Sequence, residues 1–210
     1  HNSFFPITED KYITFNGGAQ GEGKKYHLFQ EVISLILPYL EKNHIALYQL
    51  GVPGEQTFEN CNVLVGATNV NQASYILSQS LMHFGVDGLL NHIASALDKP
   101  VVALYSGLPP EVCSPYFSKK GKLVNLSWKD EEHLPSYNEN EPSKTINKIK
   151  PEEIALNILN LLGIDNDLES YKTVYTGDMY TSPIIECIPD FSPDNNFFPQ
   201  STIHLRLDYL

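Results

Sequence analysis

The chain has 210 residues, 42% of them hydrophobic and 19% charged, enough apolar material for about one domain with a sizeable core and too much for wholesale disorder. Its 14 Lys and Arg against 25 Asp and Glu leave a net charge of −11, opposite in sign to the basic face with which proteins track nucleic-acid phosphates. The composition also excludes a collagen, a coiled coil and a disulfide miniprotein.

In chain order, Tyr12-Ile13-Thr14-Phe15 is a β-branched and aromatic run, a predicted strand stopped by Asn16-Gly17-Gly18. From Tyr26 to Lys42 apolar residues recur three and four apart (Leu28, Phe29, Val32, Ile33, Ile36, Leu40), the pattern of an amphipathic helix, with Pro38 expected to kink or shorten its last turn. Ile45 to Leu50 predicts a second strand ending at Gly51, and Val63-Leu64-Val65 a third, closed by Gly66. A helix follows over Asn71 to Ser80, then a strand over Leu81 to Phe84, a helix over Gly88 to Leu97 and a nearly continuous apolar strand over Val101 to Tyr105, as expected when both faces of a parallel strand are covered. Lys122 to Leu126 reads as a sixth strand and 127 to 150 as a long polar loop. Pro151-Glu152-Glu153 then opens a helix with proline first and acid in its first turn, and Gly163 ends it.

Strands alternating with helices predict an α/β fold, a Rossmann-like, doubly wound parallel sheet with right-handed crossovers, over residues 1–165. Residues 166–210 form an irregular C-terminal extension or the start of a further domain. This tail is rich in Tyr, Pro and Asp, with alternating patches at Ile184 to Ile188 and Thr202 to Leu207.

No apolar run approaches the roughly 18 residues of a bilayer span, and the N-terminus lacks a positive region followed by an apolar one. Three widely spaced cysteines (Cys61, Cys113, Cys187) form no Cys-x-x-Cys pair, so reduced thiols in a cytoplasmic protein are expected rather than a zinc site or disulfide framework.

Three segments could carry chemistry. Asn16 to Lys25 is a glycine-rich loop between a strand and its helix, where Gly17 and Gly18 would let the backbone approach a ligand and Lys24 or Lys25 would meet a diphosphate. It matches neither the Walker loop nor the dinucleotide fingerprint, and a flexible loop with solvated lysines is the alternative. Gly51-Val52-Pro53-Gly54-Glu55 places a carboxylate after the second strand, where it could accept ribose hydroxyls or lie in a plain turn. In Gly85 to Pro100 an Asp-Gly opens a helix, so that Asp87 is either a ligand group or an N-cap, and His92 either a ligand group or a half-buried structural histidine.

In this order, strand–Gly loop–Lys, strand–Gly-x-x-x-Glu, strand–Asp-Gly-x-x-x-His-Ile-Ala-x-Ala-Leu-x-x-Pro–strand, the chain resembles the C-terminal, donor-binding half of the heptosyltransferase-like glycosyltransferases (glycosyltransferase family 9), which have the two-domain GT-B fold. The resemblance spans about residues 10 to 164. Asp87, Gly88, His92, Ile93 and Ala94 fit the family spacing, Leu89 stands where the family has glycine, and Gly66-Ala67-Thr68-Asn69 resembles its Gly-x-[Ser/Thr] segment.

By that resemblance residues 1–165 are a nucleotide-sugar-binding domain. Lys24 or Lys25 would meet the donor phosphates, Glu55 the ribose, and Asp87 with the Gly88 and Leu89 amides the diphosphate-sugar. The donor is a nucleoside-diphosphate sugar used as substrate, with no cofactor and no metal. Transfer is inverting, and its deprotonating carboxylate lies in an N-terminal half outside this sequence, so no catalytic residue is named. The acceptor, a glycan, lipid or protein, would also be held by that half.

The rival readings are a non-catalytic nucleotide-sugar-binding module and a GT-B-fold nucleotide-sugar epimerase. Asp165-Asn166-Asp167 has the Asp-x-Asp spacing of metal-dependent sugar transferases but follows a helix end, where a solvated acidic turn is expected. The histidines show no His-Glu-x-x-His, and no Gly-x-Ser-x-Gly elbow occurs.

Overall fold

Six strands form one all-parallel sheet in the order β3-β2-β1-β4-β5-β6 in the computed structural model, which describes residues 7–19, 21–128, 144–168, and the backbone of 184–187 and 202–205. They are β1 (Tyr12–Asn16), β2 (Ala46–Gly51), β3 (Asn62–Val65), β4 (His83–Val86), β5 (Val101–Tyr105) and β6 (Leu123–Ser127). The helices are α1 (Phe29–Lys42), α2 (Val70–Gln79), α3 (Leu89–Ala96), α4 (Pro110–Cys113) and α5 (Pro151–Leu162). The chain moves outward from β1 to β3 on one side and returns to pair β4 with β1 before moving outward again. The order of the strands therefore reverses between β1 and β4, and side chains at the C-terminal ends of these two strands border an open crevice.

Both faces of the sheet are covered. On one, Tyr12, Tyr48, Leu50, Ala103 and Tyr105 pack with Ala73, Ile76 and Leu77 of α2 and Ala94 of α3, and the Tyr12 hydroxyl donates to the Ile76 carbonyl at 2.8 Å. On the other, Phe15 stacks on Phe84 at 5.2 Å between ring centres and meets Phe29 of α1 and Phe58. Helices α1 and α5 pack together, and all five residues of β5 are buried, as its unbroken apolar run requires.

Several elements depart from expectation. Helix α1 begins at Phe29 because Tyr26 is buried and its hydroxyl donates to the Ile149 carbonyl at 2.8 Å, outside the helix. Pro38 does not shorten α1, which runs four residues past it to Lys42. Strand β4 lies two residues later than predicted. Helix α4, opened by Pro110 at its first position, was not anticipated, and Thr145–Lys148 forms a 3-10 turn inside the expected loop. Residues 129–143 of that loop lie outside the described residues.

The chain divides into two compact units, residues 1–172 and 173–210. In the second, β7 (Ile184–Cys187) pairs in parallel with β8 (Thr202–Leu205), in register from Ile184 with Thr202 to Cys187 with Leu205. No helix among the described residues is long and apolar enough to cross a membrane.

Candidate functional site

A cavity of about 480 Å³ opens at the strand-order reversal, within the size range of small-molecule sites. The ends of β1 and β2 supply Asn16, Leu50 and Gly51, and the loops after them Gly18, Ala19, Lys24, Val52 and Glu55. Thr68, Asn69, Val70 and Ala73 line the side toward α2, and Asp87, Gly88, Leu89 and Leu90 the side toward α3.

Two helix N-termini border this space, and they differ. Helix α2 is closed by its own capping box: the Asn69 side chain accepts from the Gln72 amide at 3.0 Å, and the Gln72 side chain accepts from the Asn69 amide at 2.9 Å. Helix α3 is preceded by Gly88 and has no side-chain cap. Its first N–H groups, with the positive end of the helix dipole, remain open to an anion. Asp87 is therefore not the cap. Its backbone N–H is held by the Leu104 carbonyl at 2.8 Å, and its carboxylate pairs with Lys24 Nζ at 2.9 Å.

Glu55 occupies a gap that glycines leave. A Cβ on Gly18 or on Gly51 would overlap its carboxylate, so these positions need glycine for space. Asn16 Nδ2 donates to Glu55 Oε2 at 3.2 Å. Burial pushes the Glu55 carboxyl above its ordinary range, and hydrogen bonds from the Val52 backbone and from Asn16 pull it partly back. A smaller cavity, about 250 Å³, shares Gly18, Ala19, Val52 and Glu55 with the first and is lined besides by Gly17, Lys25 and Pro53 among others.

Of the residues singled out from sequence, Gly18, Lys24, Gly51, Glu55, Asp87, Gly88 and Leu89 thus line one cavity. Gly17 and Lys25 line only the smaller one, where Lys25 pairs with Glu22. Gly66 lines neither; it turns the chain with φ +72°, donates to the Gly51 carbonyl at 2.8 Å and packs on Pro53. His92 is exposed on α3 and lies outside both linings, so it is not the half-buried structural histidine considered from sequence.

Residues 1–146 match the model of Glycosyltransferase family 9 (heptosyltransferase). The chain belongs to this family. Among curated relatives of the family 9 chain, the lipooligosaccharide heptosyltransferase 2 of Haemophilus influenzae is 33% identical over 72 residues, 34% of this chain and 20% of that protein. Among solved structures, the Escherichia coli ADP-heptose lps heptosyltransferase II superposes with a TM-score of 0.57 at 22% identity, covering 74% of this chain and 47% of that one. The glycosyl transferase family 9 protein of Veillonella parvula gives 0.57 at 18% identity over 73% and 46%. The dodecameric iron-containing heptosyltransferase TibC, solved with ADP-D-β-D-heptose, gives 0.57 at 14% over 77% and 47%. At these identities the superpositions show the fold. The family 9 chain spans about half the length of these solved relatives.

The cavity also includes residues to which the sequence assigns no individual role. Asn16 reads from sequence as a strand stop and the first residue of the glycine-rich loop, with no role of its own, and Thr68 and Asn69 only as part of a resembling segment. Val52 and Val70, 63% and 55% exposed, are unusually open for apolar side chains and share the cavity wall with Leu50, Ala73 and the already named Leu89. Among the described residues of the family 9 chain, no three His, Cys, Asp or Glu side chains gather where they could hold a metal ion. Asp167 of the Asp-x-Asp triplet accepts from the Tyr39 hydroxyl, and the Asn166 side chain accepts from the Leu168 amide at 3.3 Å, so that segment is a hydrogen-bonded turn beyond α5.

Proposed function

We propose that residues 1–165 are the donor-binding half of a GT-B glycosyltransferase, taking a nucleoside-diphosphate sugar for inverting transfer. One observation carries this reading: a cavity at the strand-order reversal combines a lysine, an uncapped helix N-terminus and a half-buried carboxylate against an apolar wall. Each feature answers one part of the donor. The α3 amides and Lys24, released from Asp87, meet the diphosphate; Glu55 accepts from the ribose hydroxyls; Val52, Val70 and Leu89 cover the base. Asp87, once free of Lys24, accepts hydroxyls of the transferred sugar. The Escherichia coli relative is an ADP-heptose heptosyltransferase and TibC was solved with ADP-D-β-D-heptose, which makes adenosine the first base to try and heptose the first sugar.

With the diphosphate charge met by Lys24 and the helix end, the transfer needs no divalent metal. The deprotonating group and the acceptor site belong to the other half of the GT-B enzyme, and the acceptor is a glycan, lipid or protein. The protein works in the cytoplasm with Cys61 and Cys113 as reduced thiols. Residues 166–210 are a separate extension.

The test is a thermal-shift panel of ADP, UDP, GDP and their sugars, each with and without EDTA. At a hundredfold excess over Kd, a bound nucleotide adds about 2.7 kcal/mol of stability, or roughly 5–11 °C in Tm for a chain of this size. ADP ligands are expected to give the largest shift, unchanged by EDTA. A panel that leaves the melting curve in place refutes the donor site, and a shift abolished by EDTA refutes metal independence.

Leu89 in place of the family's glycine favours a second reading, a module that binds nucleotide sugar without transferring it. Release of free nucleotide on addition of acceptor and a family 9 N-terminal half selects the transferase; binding without release selects the module.

A further inference from the structure

The reach of Glu55 into the cavity depends on Asn16, which donates to its carboxylate. Asn16 ends β1 at the strand-order reversal, in register with Gly85 of β4. A Cβ on Gly85 would meet the Asn16 carbonyl oxygen at 2.6 Å, so glycine there lets β4 close on β1 and fixes the Asn16 backbone. From that anchored position its side-chain amide has two N–H groups, and both are used. One donates to the Leu50 carbonyl of β2 at 3.1 Å and the other to Glu55 Oε2 at 3.2 Å. One planar amide therefore ties the carboxylate to the rigid sheet.

Without that tie Glu55 is a flexible side chain on a loop beside the space that Gly18 and Gly51 leave open. Holding it in one rotamer before the ligand arrives removes an ordering cost from binding. We propose that Asn16 is the positioning residue of this site, its amide holding the Glu55 carboxylate between Gly18 and Gly51 so that it faces ribose hydroxyls as an acceptor. The proposal rests on the reading of Glu55 as the ribose contact and extends it to the residue that holds Glu55 in place. Loss of the Asn16 bond also removes one of the two hydrogen bonds that favour the ionised carboxyl, leaving burial less opposed. The other charged groups bordering the two cavities are paired elsewhere, Lys24 with Asp87 and Lys25 with Glu22.

Two measurements test it. In the ligand-free chain, NMR titration of the Glu55 carboxyl is expected to move to higher pH in Asn16→Ala, and further in Asn16→Asp, which keeps the shape but exchanges the donor for a like charge. Calorimetry with adenosine and ADP at pH 8 is expected to show Asn16→Ala weakening both by about 2- to 12-fold, the worth of one hydrogen bond. The loss grows as pH falls and vanishes in a Glu55→Gln background. An unmoved Glu55 titration, or the same loss with and without Glu55, overturns the proposal. If Asn16→Ala does not fold, Asn16→Asp decides the titration. Failure of wild type to bind either ligand overturns the nucleotide reading instead, and the ligand-free titration still reports whether Asn16 governs Glu55.

Discussion

Lys24 already has an anion, and replacing Asp87 by Asn shows what that costs the ligand. The pair is closed at 2.9 Å with side chains 32% and 14% exposed, so it is screened on the Lys24 side and more protected on the Asp87 side. Even fully exposed pairs contribute about 0.2–1 kcal/mol, so a diphosphate that takes Lys24 must first give up at least an amount of that order. Asp87→Asn removes the competitor, and ADP should bind about 1.4- to 5-fold more tightly. Lys24→Ala removes the charge-assisted bond itself and should cost about 10- to 150-fold for ADP while sparing adenosine, which has no phosphate. Lys25→Ala, whose partner Glu22 lies outside the larger cavity, should leave both ligands near wild type. The assay is calorimetry of three variants with ADP, adenosine and an ADP-sugar. If Asp87 also accepts sugar hydroxyls, Asp87→Asn tightens ADP but weakens the ADP-sugar, inverting their order. Weaker ADP binding in Asp87→Asn would refute the competition argument, and equal losses for ADP and adenosine in Lys24→Ala would refute the phosphate assignment.

Gly18→Ala should abolish detectable adenosine and ADP binding yet leave Tm within a few degrees, because the atoms displaced are the far end of the Glu55 side chain rather than backbone; a fall in Tm as large as for a core substitution would contradict this. His83 is fully buried in β4, with Thr14 Oγ1 at 2.9 Å from its Nδ1, and burial lowers its pKa from 6.5 to about 3. Its neutral form is therefore favoured in the fold, the unfolded chain takes up a proton below about pH 6.5, and stability falls with decreasing pH by up to roughly 1.4 kcal/mol per unit from this group. Urea unfolding of wild type and His83→Leu at pH 7 and pH 5 should differ in pH dependence by about 2 kcal/mol, with parallel slopes as the contrary result.

The legible parts of this chain are those in which one element decides its own conformation. Strand β5 is apolar on both faces because helices cover both, and α5 carries its proline start and its glycine stop at φ +68°. The strand expected to end at Phe84 runs on through Gly85 to Val86, Gly85 being small so that the Asn16 carbonyl can approach. Pro38 is expected to kink or shorten the last turn of α1, which nevertheless runs on to Lys42. At the site, the glycines, Lys24 and Glu55 were legible as types of chemistry at strand ends. Their partners were not: Asp87 lies 63 residues from Lys24, and Asn16 lies 39 from Glu55. Nothing local marks an aspartate as a counter-ion rather than a cap. The choice is made when β4 comes to lie beside β1.

A closed Lys24–Asp87 pair also leaves the Glu55 carboxylate as the uncompensated charge of the cleft, within a chain whose net charge is −11. An approaching diphosphate therefore meets repulsion at long range and attraction only at contact, after the pair has parted. Many phosphate-binding proteins draw their ligands in with a cationic funnel, and their association slows as salt is added. Here added salt should hasten the encounter by screening the acidic surface while loosening the final grip, so that the two rate constants of binding both rise with ionic strength.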